Sequence, residues 1–201
     1  MAMAGVRGGN STVWIDAIWP QDAQQGGAAG AARFVLLALI GSALIAACAH
    51  MKVNIGPVPL SMQTFAILLI GLAFGPTLGM ATVLAYLAEG FIGLPVFSNG
   101  AGPAYFMGPT GGYLAGFVVA AGLVGWLARA GWGRPVVRVF AAMLLGSAVI
   151  YLCGWAWLSQ LIGAEKAFTA GVLPFLVGDA IKAALAALAL PAAWHLAGRS
   201  S

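Results

Sequence analysis

Charge is scarce in this chain. Its 201 residues include nine Lys or Arg and five Asp or Glu, 7% in all, against roughly a quarter in a typical soluble domain. Hydrophobic residues make up 62%, and the mean hydropathy is +0.97. A soluble fold of this size exposes too much surface to hide so many apolar side chains. A disordered chain is excluded by the same composition. What remains is a polytopic helical membrane protein. The net charge of +4 comes without a basic run and neutralises few phosphates, which argues against nucleic acid as a partner. The two cysteines, Cys48 and Cys153, lie in apolar segments with no CxxC and no Cys/His cluster, so they read as packing residues.

Catalytic signatures are also missing. There is no GxxxxGK[ST] and hence no nucleotide-binding loop, and no HExxH. No Gly-x-Ser-x-Gly elbow appears, and His50 and His195 fall at opposite membrane faces. Asp179 is the single Asp within a span, so the carboxylate pair of an aspartyl protease is absent. The reading is of a non-enzyme, with no catalytic residue, no metal ligand set and no cofactor.

Apolar runs are what is there. A hydrocarbon core of about 30 Å takes roughly 20 residues of helix, which gives six segments near 33–49, 59–74, 76–93, 110–130, 136–159 and 171–197. Gly75-Pro76 reads as a tight turn between the second and third, both short for a full span. Residues 1–32 form a tail without the apolar h-region of a signal peptide, and 33–201 form a single six-helix transmembrane domain. Within the tail, Gly26–Gly30 reads as a flexible linker. Val13, Trp14, Ala17 and Ile18 share one face of a short helix, with Ser11 or Thr12 as cap and Pro20 as stop. That face suits the headgroup level of a bilayer; an ordinary disordered tail is the alternative. Lys and Arg fall mostly on one side: Arg33, Arg129, Arg134, Arg138 and Arg199 against Lys52 and Lys166. The bias places both termini in the cytoplasm, and the protein in the inner cell membrane.

In this topology the outer loops are the long, Gly- and Pro-rich ones: 52–59, 93–103 and 163–166. Such shaped loops commonly carry function. The polar residues that hydrocarbon penalises converge on the same leaflet. Asp179 and Lys182 stand at i and i+3 on one face of the sixth segment, about 12 Å in from its outer end. An ionisable group at this depth costs about 2.5–3.5 kcal/mol and usually lines a cavity; the alternative is a self-neutralising bridge that only locks the bundle. Glu89 reaches a similar depth, or else the headgroups. Gln63, Asn99, Tyr86 and Tyr113 add donors and acceptors on the same side. Ala38, Ser42 and Ala46, with Ala43 and Ala47 beside them, form a small-residue stripe on the first segment. Such a stripe admits close approach of another helix of this chain or of a second subunit, including a second copy.

Four stretches carry a resemblance: Gly56-Pro57-Val58-Pro59-Leu60-Ser61-Met62-Gln63-Thr64-Phe65, Gly93-Leu94-Pro95-Val96-Phe97, Gly108-Pro109-Thr110-Gly111-Gly112-Tyr113-Leu114 and Gly178-Asp179-Ala180-Ile181-Lys182. Over about 33–195 the chain resembles the BioY family, the biotin-binding S components of energy-coupling-factor vitamin transporters. The resemblance implies a six-helix S-component bundle holding biotin under the outer loops. It also implies a transmembrane T subunit and two cytoplasmic ATPases as partners. The ligand region it implies corresponds to Asp179, Lys182 and Asn99, and the T-subunit contact to Ala38, Ser42 and Ala46. Some members use an Arg for the ligand, and no Arg stands in the outer half here.

Biotin's chemistry suits these residues. Its ureido N–H groups need acceptors, such as Asp179, and its ureido oxygen needs a donor, such as Asn99 or Lys182. The tail carboxylate needs a cation, for which Lys182 is at the right depth unless Lys52 folds inward. Tyr113, Phe97, Tyr86 and Trp155 are candidate apolar walls. An S component for another vitamin, an intramembrane enzyme using Glu89 and Asp179 as acid and base, and a purely structural subunit are the competing readings.

Overall fold

A computed structural model describes residues 13–19, 27–54 and 56–196. The helices are α1 (Trp14–Ile18), α2 (Ala28–His50), α3 (Gln63–Phe91), α4 (Pro103–Met107), α5 (Gly111–Leu127), α6 (Val136–Ile162), α7 (Ala164–Gly171) and α8 (Leu173–Leu196). A π turn over Ala128–Trp132 extends α5. Two short strands, β1 (Lys52–Val53) and β2 (Leu60–Ser61), pair antiparallel with Lys52 opposite Ser61.

Although α3 runs without a loop, it is two spans joined across a kink. Gly75 leaves the helix at φ +79°, and Pro76 follows; a positive φ is open to Gly at little cost, and Pro withholds the N–H that would continue the ladder. The chain folds back on itself there. Gln63 Nε2 donates to the Tyr86 hydroxyl at 3.0 Å, whereas a straight helix would separate these residues by about 34 Å. The turn is tight because Gly125 lies against it: a Cβ on Gly125 would stand 2.5 Å from the Gly75 carbonyl carbon and the Pro76 nitrogen. Counting the two arms of α3 separately, the spans are six: α2, the arms of α3, α5, α6 and α8.

These helices form because their residues are apolar on every side, the pattern of a helix with no water to face. Large side chains such as Leu39, Ile40, Val177 and Leu188 stand exposed on the outside of the bundle, where hydrocarbon is their solvent. The core lies between α3, α5 and α6, around Ile67, Leu68, Val124, Met143 and Ile150.

One end of the bundle gathers the Gly75 turn, α1 and the end of α8. Val13, at the start of α1, packs on Gly75, and Trp194 Nε1 donates to the Gly133 carbonyl at 3.1 Å. Arg33, Arg129, Arg134 and Arg138 lie toward this end, and Lys52 and Lys166 at the other. The excess of cations makes the first end cytoplasmic.

The spans sit close to their expected bounds, with differences that have physical reasons. Residues 28–30 of the expected linker are helix, so α2 starts at Ala28, as the high helix propensity of the neighbouring Ala residues favours; Gly26 lies outside the described residues. The tail helix is present as α1, but it docks on the bundle: Val13 and Ile15 are buried, and Ile18 and Trp19 are exposed. Arg33 ties it down, donating to Asp16 at 3.2 Å and to the Trp19 carbonyl. Ser11, Thr12 and Pro20, its expected cap and stop, lie outside the described residues. The outer loops, read as turns, contain α4, α7 and the β1–β2 pair.

Candidate functional site

The outer end of the bundle holds a cavity that opens at its mouth, with an empty volume of about 460 Å³ when the solvent space at the mouth is included. Val58, Pro59 and Ser61 of the first outer loop roof it, with Ser98 of the second loop and Tyr105 of α4. Gln63 and Thr64 enter from the start of α3, Thr110, Tyr113, Leu114 and Phe117 from the start of α5, Tyr151 from α6 and Phe175 from α8. The wall is apolar and aromatic, with a few neutral polar groups.

Several of the lining side chains are held from behind. Tyr113 donates to the Gly171 carbonyl at 2.7 Å, and its ring lies on Gly154, where a Cβ would come within 2.3 Å of it. Glycine at 154 is therefore what lets α6 accept this ring. Gln63 donates to Tyr86, which donates on to the Val96 carbonyl at 3.0 Å. Ser98 Oγ donates to Gln63 Oε1 at 3.4 Å. Tyr105 stacks on Phe97 at a centroid distance of 4.7 Å, and Phe97 meets the edge-on ring of Tyr86 at 5.3 Å.

Behind the wall stands the charge pair. Lys182 Nζ lies 2.7 Å from Asp179 Oδ1. Only 4% of Asp179 and 8% of Lys182 are exposed, so neither charge is answered by water. The protein answers both. Lys182 also donates to the Ser61 carbonyl at 2.6 Å and to Thr64 Oγ1 at 3.1 Å. Asp179 Oδ1 accepts from Thr64 at 3.2 Å as well, and Oδ2 accepts from the Tyr151 hydroxyl and from Ser147 at 3.4 Å. Three ammonium donors and about four carboxylate lone-pair sites are thereby filled. The pair therefore orients Thr64 and Tyr151, two residues that line the cavity. The Tyr151 proton is directed at Asp179, which leaves the oxygen lone pairs of Tyr151 free to accept.

The expected site residues thus separate into groups. Gln63 and Tyr113 line the cavity. Tyr86, Phe97, Asp179 and Lys182 stand one layer back, as supports. Asn99 is exposed and joins the outer loops: it accepts from Lys52 Nζ and donates to Asn54 Oδ1 at 3.3 Å. Lys52 also donates to the Ser98 carbonyl. Glu89 is turned away, toward α2, where it accepts a hydrogen bond from Ser42. Ala38 and Ser42 are both buried within the chain, and Ala46 is half-buried, where the resemblance implied a face open to a second subunit. Trp155 donates to the Ala164 carbonyl at 3.1 Å instead of lining the cavity. Sequence reasoning missed Thr64, Ser98, Tyr105, Ser147 and Tyr151. Ser147 and Tyr151 carried a signal, since two hydroxyls at i and i+4 share one face of an otherwise apolar helix.

Fold and site together define a class: a multi-pass helical membrane protein whose spans and outer loops close around a small-molecule cavity near one surface. Comparison with known proteins gives the class its family. The family model described as BioY matches residues 21–199. A probable biotin transporter BioY of Pyrococcus horikoshii is 44% identical over 158 residues, covering 78% of this chain and 93% of that protein. The biotin transporter BioY of Thermotoga maritima is 36% identical, over 78% of this chain and 92% of its own. The crystal structure of an S component for biotin from an ECF-type ABC transporter superposes with a TM-score of 0.70 at 26% identity, covering 86% of this chain and 94% of that one. The chain belongs to the BioY family.

Proposed function

We propose that this protein is the biotin-binding S component of an energy-coupling-factor uptake transporter in the inner cell membrane. It takes biotin from the outer side and delivers it inward. One observation carries the reading: a cavity with an apolar, aromatic wall and neutral polar groups, at the outer end of a BioY-family bundle. Biotin's fused rings suit Tyr113, Phe117, Tyr105 and Phe175. Its ureido N–H groups suit the Tyr151 oxygen, and its ureido oxygen suits the Gln63 amide. That amide has two N–H donors, and Tyr86 takes one. Asp179 and Lys182 serve the ligand by holding Tyr151 and Thr64 in place.

The protein is a transport subunit, not an enzyme, and its sequence contains no nucleotide-binding loop. Inward delivery therefore falls to partners, a membrane T subunit and two ATPases. With Ala38 and Ser42 packed inside the chain, Ala43 and Ala47 are the exposed small residues of α2 and offer the T subunit its close approach. Equilibrium binding of labelled biotin to the purified chain, challenged with unlabelled vitamins, tests the reading. Displacement by biotin alone is the expected result. Displacement by another vitamin, or no binding, would refute it.

A further inference from the structure

An anionic ligand needs a cation, and the cavity wall supplies none: the lining residues are apolar, aromatic or neutral polar. Lys182, the cation nearest in sequence reasoning, has its three donors committed to Asp179, Ser61 and Thr64, and its charge is already balanced at 2.7 Å. Drawing it toward a ligand carboxylate would break that pair in a dry interior, where one uncompensated charge costs several kcal/mol.

Lys52 is placed differently. It lies in β1, at the edge of the loop that roofs the cavity. Its ammonium donates to the Ser98 carbonyl and to Asn99 Oδ1, which uses two of its three donors. Ser98 itself lines the cavity, so the ammonium is one hydrogen bond away from a lining residue. Both partners are neutral, and among the described residues no carboxylate forms an ion pair with Lys52. Lys52 is half-buried, so its charge remains hydrated at little cost.

We propose that Lys52 holds the carboxylate end of the ligand at the mouth of the cavity, and that Lys182 takes no part in recognising charge. The proposal rests on the biotin reading above: the ureido head enters the neutral interior and the valerate tail points to the rim. Lys52 thereby also couples loop closure to ligand charge, because the same ammonium joins the first and second outer loops.

Calorimetric titration of the full chain in detergent with biotin and biotin amide tests this. The unaltered chain should prefer biotin by about tenfold or more, the scale of one hydrogen bond to a charged group. Lys52→Gln should bring the ratio of the two affinities close to one, whereas Lys52→Arg should preserve a preference for biotin. Asn99→Ala loosens the loop junction but keeps the ammonium, so it should weaken both ligands in proportion. Higher ionic strength should narrow the ratio in the unaltered chain, a readout that does not depend on any variant folding. An unaltered chain that binds both ligands equally, or a Lys52→Gln ratio that stays put, overturns the assignment of Lys52 alone. An unaltered chain that binds neither ligand overturns the biotin reading and this proposal with it.

Discussion

The Asp179–Lys182 pair is the place where the energetics of this fold are most exposed to test. Asp179→Asn removes the acid and leaves the Lys182 ammonium buried, with neutral acceptors at Ser61 and Thr64. Lys182→Met does the reverse, leaving a carboxylate with three hydroxyl donors, from Thr64, Ser147 and Tyr151. Breaking a buried pair from one side costs about 3–5 kcal/mol, because the remaining charge is uncompensated. Changing both at once leaves no charge, and the side-chain amide introduced by Asp179→Asn still offers Tyr151 an acceptor. The double variant should therefore be more stable than the sum of the singles by at least about 2 kcal/mol, well outside the roughly 0.5 kcal/mol within which independent sites add. Unfolding in mixed detergent micelles, followed by tryptophan fluorescence, measures the cycle. Biotin titration on the same samples should show the affinity of Asp179→Asn reduced at least about tenfold, since one amide oxygen cannot hold Thr64, Lys182, Ser147 and Tyr151 together as the two carboxylate oxygens do. Additive single effects would refute the claim that each charge is retained to answer the other. Unchanged biotin affinity in a folded Asp179→Asn protein would refute the claim that the pair aims the cavity wall.

Three further outcomes follow from named contacts. Gly154→Ala should reduce biotin affinity by about tenfold or more and lower thermal stability, because its Cβ would stand 2.3 Å from the Tyr113 ring, a large rigid group; normal binding by calorimetry would mean the ring is free to move. Tyr151→Phe removes a hydrogen bond to a buried carboxylate and should cost about 1–3 kcal/mol of stability, together with biotin affinity; a variant as stable as the parent in the same unfolding assay would count against it. Ala38→Leu should destabilise the isolated chain by about 1–3 kcal/mol through overpacking, whereas Ala43→Leu should leave it stable and weaken recovery of the T subunit on copurification; the opposite pattern would return the partner face to Ala38.

Much of the architecture was legible in the chain because a bilayer allows few solutions. Apolar runs of sufficient length become spans, so six were countable, and Gly75-Pro76 marked a reversal through local backbone chemistry alone. The cation bias named the cytoplasmic end. The site was legible in part. Gln63 and Tyr113 line the cavity as their leaflet suggested, and Asp179 and Lys182 were recognisable as costly residues at a telling depth. Glu89 shared that depth, yet it faces Ser42 on α2. Depth follows from counting residues along a helix, whereas facing depends on which neighbour each helix meets.

Local hydrophobicity, charge and helical rise are readable along a linear chain, and they set the solvent, the number of crossings, their orientation and the leaflet in which polar groups gather. Which of those groups touch the cavity was a matter of packing. Packing filled every donor of Lys182 and set that pair behind Thr64 and Tyr151. It turned Ala38 and Ser42 of α2 inward and brought Lys52 across to Ser98 and Asn99. Those outcomes rest on contacts between residues 28 to 121 positions apart, and no window along the chain encodes the direction in which two packed helices present their side chains to each other.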